Sequence, residues 1–264
     1  MYTQKLLRAT FLAAIGALAA TATSLDFQGV GSSTLTSYTL PGDGSIFSLV
    51  SDTISTGTGT FPAFLRIQAS GNATSEQGYN TEGSPLPYDE KAGNWTRNIL
   101  FSQLGTVTQG GVDYFRLLLD WNESGGSKTG ISLVDLRIYS GIPNLTSKIG
   151  EAGFTSNTTE LWNLQTPLGN AGYDSMNFVD ANAGSGRADL NILIPQTLLS
   201  GRPDNQPNFI LYAKFNNVDG GFEEFSYFAG TSTQPIPPDV PEPATFMMLG
   251  GGLAALGLVR RFRQ

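Results

Sequence analysis

Between residues 25 and 228 the chain returns eleven times to a short apolar run, and each run is closed by Gly, Asn, Ser or Pro before it reaches helical length. The runs are Leu25–Val30, Thr34–Leu40, Ile46–Val50, Phe61–Ala69, Ile99–Val107, Val112–Trp121, Ile131–Tyr139, Met176–Ala181, Leu190–Pro195, Asn208–Phe215 and Phe222–Phe228. In Phe209 to Phe215 one face reads Phe209, Leu211, Ala213, Phe215 and the other Ile210, Tyr212, Lys214. A two-residue period of this kind belongs to a half-buried antiparallel strand. A chain punctuated so often cannot build long helices. The spacing therefore predicts an all-β fold, an antiparallel two-sheet β-sandwich of jelly-roll-like type, with an up-and-down barrel as the alternative. Segments 70–93 and 141–172 are polar and Gly-rich and read as surface loops. Pro195–Leu199 reads as a single helical turn opened by proline.

Composition removes whole classes of chemistry. The 264 residues include no His and no Cys. That excludes Ser-His-Asp and Cys-His units, histidine-ligated zinc or iron, thiolate catalysis and disulfides. Carboxylates, hydroxyls, Lys and Tyr remain. Only 14% of residues are charged, against about 25% in ordinary soluble domains.

The two ends are distinct from the body. Lys5 and Arg8 precede an apolar run from Ala9 to Ala20, and Ala20-Thr21-Ala22 places small residues where a signal peptidase reads them. Residues 1–22 are thus expected to be a cleaved secretory signal helix, with Ala20 and Ala22 at the cleavage site. At the other end, prolines at 235, 237, 238, 241 and 243 make a stiff extended spacer, because proline fixes φ and forbids a regular helix. Ala244–Val259 is apolar and is followed by Arg260, Arg261 and Arg263. Sixteen helical residues rise about 24 Å, a short transmembrane helix, and the arginines hold its end on the cytoplasmic side. Residues 23–239 then lie outside. The expected order is signal peptide 1–22, β-sandwich ectodomain 23–230, Pro-rich linker 231–239 and C-terminal sorting signal 240–264. Over residues 23–239, loss of five basic and one acidic residue leaves 10 and 21, so a formal charge of −7 becomes −11. An acidic body of this kind is not built for nucleic acid.

Val240-Pro241-Glu242-Pro243-Ala244-Thr245, the Gly-rich apolar segment and the terminal arginines resemble the PEP-CTERM protein-sorting signal of Gram-negative bacteria. The resemblance implies an exosortase as partner, with Pro241, Glu242 and Pro243 as the recognition residues. It further implies a transient inner-membrane anchor, then delivery to the cell surface or extracellular matrix in organisms that make exopolysaccharide. Four stretches of the body, Phe115–Glu123, Ser132–Tyr139, Gly184–Leu190 and Gly220–Phe225, resemble an uncharacterised ectodomain of such proteins, which implies a shared fold and setting and no activity.

Candidate sites in the body are few, and none is catalytic. Asp120, Asn122, Ser124 and Gly125 occupy positions one, three, five and six of an EF-hand loop, but position twelve is Ile131, which cannot supply the bidentate carboxylate. A Ca²⁺ site of another kind, using Asp120, Asn122, Glu123 and Asp135, is the metal candidate; the competing reading is a hairpin loop in which Asp120 and Asn122 cap their own backbone. Glu223 and Glu224 are neighbours on a strand, so they point to opposite faces and cannot by themselves form a glycosidase pair. The expected arrangement is Glu224 buried or metal-bound and Glu223 solvated. Trp95 and Trp162 are candidates for stacking a sugar. The reading is a non-enzymatic exported protein, with a carbohydrate-binding or adhesive module as the alternative and a carboxylate-based glycan hydrolase after that.

Overall fold

The computed structural model describes residues 23–27, 35–50, 62–122, 130–179 and 188–232. The expected signal helix, the Pro-rich linker beyond Ser232 and the expected C-terminal transmembrane helix lie outside the described residues. Among the described residues no helix is long and apolar enough to cross a membrane.

Strand is the main regular structure of the described chain. In order the strands are β1 (Ser24–Asp26), β2 (Ser37–Thr39), β3 (Ile46–Leu49), β4 (Leu65–Ile67), β5 (Ser75–Tyr79), β6 (Ile99–Leu100), β7 (Thr106–Gln109), β8 (Val112–Asn122), β9 (Ile131–Gly141), β10 (Thr158–Asn163), β11 (Ser175–Phe178), β12 (Leu190–Pro195), β13 (Asn208–Asn216), β14 (Phe222–Tyr227) and β15 (Thr231–Ser232). Two short helices, α1 (Ala152–Thr155) and α2 (Gln165–Asn170), flank β10. The helical turn expected after Pro195 is a 3-10 turn at Gln196–Leu199.

The strands form one sheet of seven and one of eight. Long strands carry each sheet and pairs of short strands share their edges. In the first, β9 and β13 pair over nine positions; β10 and β11 lie end to end along the free edge of β9, and β5 and β6 along that of β13. In the second, β8 pairs with β12 on one side and with β7 and β14 in tandem on the other. Pairing is antiparallel except at two edges, where β1 runs parallel to β11 and β15 parallel to β7. The expectation of a wholly antiparallel fold is corrected there. Both exceptions are terminal segments that reach their partners from another part of the chain, and no hairpin dictates their direction. The ladder also continues two residues past the expected body boundary at 230.

Alternation turns one face of each sheet inward. Leu117, Leu119 and Trp121 of β8 meet Leu133, Leu136 and Ile138 of β9 and Phe209, Leu211 and Phe215 of β13 in a single buried cluster. Aromatic rings tie the sheets together: Trp121 lies 5.0 Å from Phe178, and Phe225 lies 6.1 Å from Phe215. Burying a Leu or Phe contributes about 1.5–3 kcal/mol. This shared core does the work that disulfides do in smaller exported domains.

The segments read as loops hold more structure than expected. β5, β10, α1 and α2 lie within 70–93 and 141–172, and Tyr79, Phe154, Trp162, Leu164 and Leu168 are buried there. On β5 two of the buried positions are Glu76 and Gly78, so the apolar alternation that marks a strand is missing. A Cβ at Gly78 would stand 2.7 Å from Cγ of Glu90. The buried Glu90 carboxylate in turn accepts hydrogen bonds from the backbone N–H groups of Tyr79 and Tyr88.

Candidate functional site

On the outer face of the eight-stranded sheet, register puts Glu224 of β14 between Asp120 of β8 and Arg66 of β4. Asp189 stands one step before Leu190, which pairs with Leu119, and so extends the row beyond Asp120. All three carboxylate residues are buried. Nε and Nη2 of Arg66 donate to Oε1 of Glu224 at 2.6 and 2.5 Å, and Asp189 Oδ2 accepts the backbone N–H of Trp121 at 3.2 Å. The Arg66 guanidinium also lies 3.7 Å from the ring centroid of Trp95 and 4.8 Å from that of Phe222. Arg66 is thus the joint between a buried carboxylate and an exposed aromatic. Sequence reasoning missed it, because nothing along the chain connects residue 66 to residues 95 and 224.

Glu223 faces the other way. It is in register with Trp121 and Ile67, both core residues, and cross-strand neighbours share a face. It is 0% exposed, and among the described residues neither carboxylate oxygen has a hydrogen-bond partner; nor has the Trp121 Nε1–H. The expected assignment of Glu223 to solvent is therefore corrected: Glu224 and Glu223 are both buried, the first against an arginine and the second in the apolar core. Their opposite orientation is as the strand period requires.

Of the four calcium candidates, Asp120 and Asp135 are not brought together. Asp120 is on β8 and Asp135 on β9, in different sheets. Both oxygens of Asp135 accept hydrogen bonds from Arg137, at 2.7 to 3.0 Å. The Asn122 side chain and Glu123 lie outside the described residues, as do Ala20, Ala22, Pro241, Glu242 and Pro243. Among the described residues no three acidic groups are placed to hold a metal ion.

The two tryptophan candidates are also separate. Trp95 is 44% exposed and rests on Arg66 beside the eight-stranded sheet. Trp162, on β10 of the seven-stranded sheet, is only 5% exposed and belongs to the core. Its Nε1–H donates to Asp43 Oδ2 at 2.7 Å, and it borders a groove of about 360 Å³ that Glu160 and Asn163 also line. At that exposure Trp162 offers little ring surface to stack a sugar, whereas Trp95 offers more.

The outer face of the seven-stranded sheet divides in two. At one end Tyr79, Tyr139, Ile210 and Tyr212 pack under Leu145 and Phe154 of the α1 segment. Burial pushes the phenol pKa of Tyr79, Tyr139 and Tyr212 upward, so these groups stay neutral and act as packing with a hydroxyl handle. Tyr79 donates to the Ser147 carbonyl at 2.9 Å and Tyr212 to Gln77 Oε1 at 2.7 Å. At the other end the outward positions are Ser24, Asp26, Ser132, Ser175, Asn177 and Asn216, and all of these but Asp26 border a groove of about 440 Å³.

Residues 239–263 match the model of the PEP-CTERM protein-sorting motif. No curated protein and no solved structure matches the chain. Among the described residues the last paired strand ends at Ser232, a few residues before that match begins. The chain is thus an exported protein whose C-terminal PEP-CTERM motif marks it for exosortase-dependent sorting.

Proposed function

We propose that this protein is a non-enzymatic component of the cell surface or extracellular matrix, with a structural or interaction role. Signal peptidase would release it after Ala22, the segment 244–259 would hold it briefly in the inner membrane, and an exosortase would act at Pro241-Glu242-Pro243. The observation that carries this reading is the sorting match at 239–263 behind a β-domain paired as far as Ser232. Eight residues, 233–240, separate that strand from Pro241. In polyproline II geometry they reach about 25 Å, enough to present the motif to a membrane enzyme clear of the folded body.

Replacing Pro241, Glu242 and Pro243 with alanine tests it. The variant should accumulate unprocessed in the inner membrane, while the parent chain should appear at the surface without its C-terminal arginines. Mass spectrometry that finds Arg260 to Gln264 on surface protein would overturn the reading. A carbohydrate-binding or adhesive role is the second reading, favoured by the exposed Trp95 ring held flat on Arg66. Exopolysaccharide would be the partner.

A further inference from the structure

From the half of the seven-stranded sheet's outer face that no described segment covers, we infer a binding groove for a neutral saccharide. This rests on the interaction role proposed above and gives that role a place and a ligand class. The groove is made by register. Asp26, Asn177, Ser132 and Asn216 stand opposite one another on β1, β11, β9 and β13, while their chain neighbours Leu25, Met176, Leu133 and Phe215 fill the core. Short side chains in four adjacent strands leave a trough where tyrosines cover the other half of the same face.

The groups in it are ordered. Asn177 Nδ2 donates to Asp26 Oδ1 at 2.9 Å, the Ser24 hydroxyl donates to the same oxygen at 2.7 Å, and Asn217 Nδ2 donates to the Ser132 hydroxyl at 2.8 Å. Fixing the Asn177 amide in this way leaves its Oδ1 buried and without a partner. An acceptor in that condition costs free energy until a donor reaches it.

The lining selects the ligand. Among the described residues that line the groove there is no Lys or Arg, which removes the attraction an anion needs. Asp174 is the carboxylate in that lining, and Asp26 beside the groove is bonded to Ser24 and Asn177, which is too few for a divalent cation; Val134 is the one described apolar side chain there, too little surface for a lipid or an apolar peptide. Hydroxyls and amides that both donate and accept fit a polyhydroxylated neutral molecule, and about 440 Å³ is within the range of small-molecule sites.

The test uses the full-length chain in a detergent without a sugar headgroup, titrated calorimetrically with maltohexaose, cellohexaose, xylohexaose and oligogalacturonate. At least one neutral oligosaccharide should bind, with an affinity unchanged between about 0.05 and 0.5 M salt because no charge pairing is involved. Ser175→Tyr, which fills the trough, should abolish binding, and Asn177→Ala should weaken it about tenfold. Ser24→Tyr on the edge strand serves as a second filling variant, and melting temperatures show that each variant is folded. Trp95→Ala should bind as the parent does. Binding that survives both filling variants, binding of oligogalacturonate alone, or binding lost in Trp95→Ala would overturn the groove; the last outcome would keep the saccharide reading and move it to Trp95. Failure of every neutral oligosaccharide to bind would overturn both.

Discussion

Removing the guanidinium of Arg66 should destabilise the protein far more than a surface arginine would. The Glu224 side chain is 5% exposed and that of Arg66 17%, and both donors of Arg66 converge on one carboxylate oxygen. Arg66→Ala leaves that carboxylate buried, without its cation and opposite Asp120 in register. Breaking a buried pair from one side costs about 3–5 kcal/mol; the partial exposure of Arg66 puts the loss at the lower end, about 3 kcal/mol. Loss of the stack on Trp95 and Phe222 adds about 0.5–1 kcal/mol. The assay is urea unfolding of Arg66→Met, Glu224→Leu and Arg66→Met/Glu224→Leu, read as a double-mutant cycle, with Arg66→Ala measured beside them. The double variant should return to within about 1 kcal/mol of the parent, since apolar residues of similar size replace buried pairs at little cost. The argument for a desolvated pair fails if Arg66→Ala loses less than about 1 kcal/mol, or if the double variant is as unstable as the two single changes added together.

Two further outcomes follow from the same row of carboxylates and its inward neighbour. Glu223→Leu should raise stability by about 1–3 kcal/mol, because it removes an unsatisfied buried polar group from an apolar site; a lower urea midpoint would show that the carboxylate has a partner it needs. We keep Ca²⁺ at Asp120, Asn122 and Glu123 as a proposal. At about 100 times its dissociation constant, such an ion would contribute about 2.7 kcal/mol, so EDTA should lower the melting temperature by about 5–10 °C and added CaCl₂ restore it. An unchanged melting temperature would leave that segment a plain hairpin connection.

How much of this was legible in the sequence depended on where the apolar side chains fell. β8, β12 and β13 were readable because their buried positions hold Leu, Ile and Phe at every second residue, the pattern that free energy of burial imposes. β5 was not, because Glu76 and Gly78 take buried positions: the first accepts a hydrogen bond from the Ala69 backbone, and the second makes room for Glu90. β10 escaped because Trp162 alone is buried on it. Composition could name Trp95 and Trp162 as candidates but could not separate them, since exposure depends on which sheet a segment joins.

The sites themselves were harder to read for a geometric reason. A helix or a loop motif brings together residues a fixed few positions apart, so its spacing shows in the chain. A sheet gathers residues across strands, and the row Asp26, Asn177, Ser132 and Asn216 spans nearly the whole body with no constant interval. The same holds for Arg66, Asp120 and Glu224. Within one strand, parity fixes that Glu223 and Glu224 diverge, yet it does not say which turns inward. Aromatics sit on both sides of β14, with Phe222 outward against Arg66 and Phe225 inward against Phe215, so only the pairing with Trp121 and Ile67 decides it. In a β-protein without His or Cys, whose functional groups are scattered Ser, Asn and Asp, register is what turns ordinary polar positions into a site.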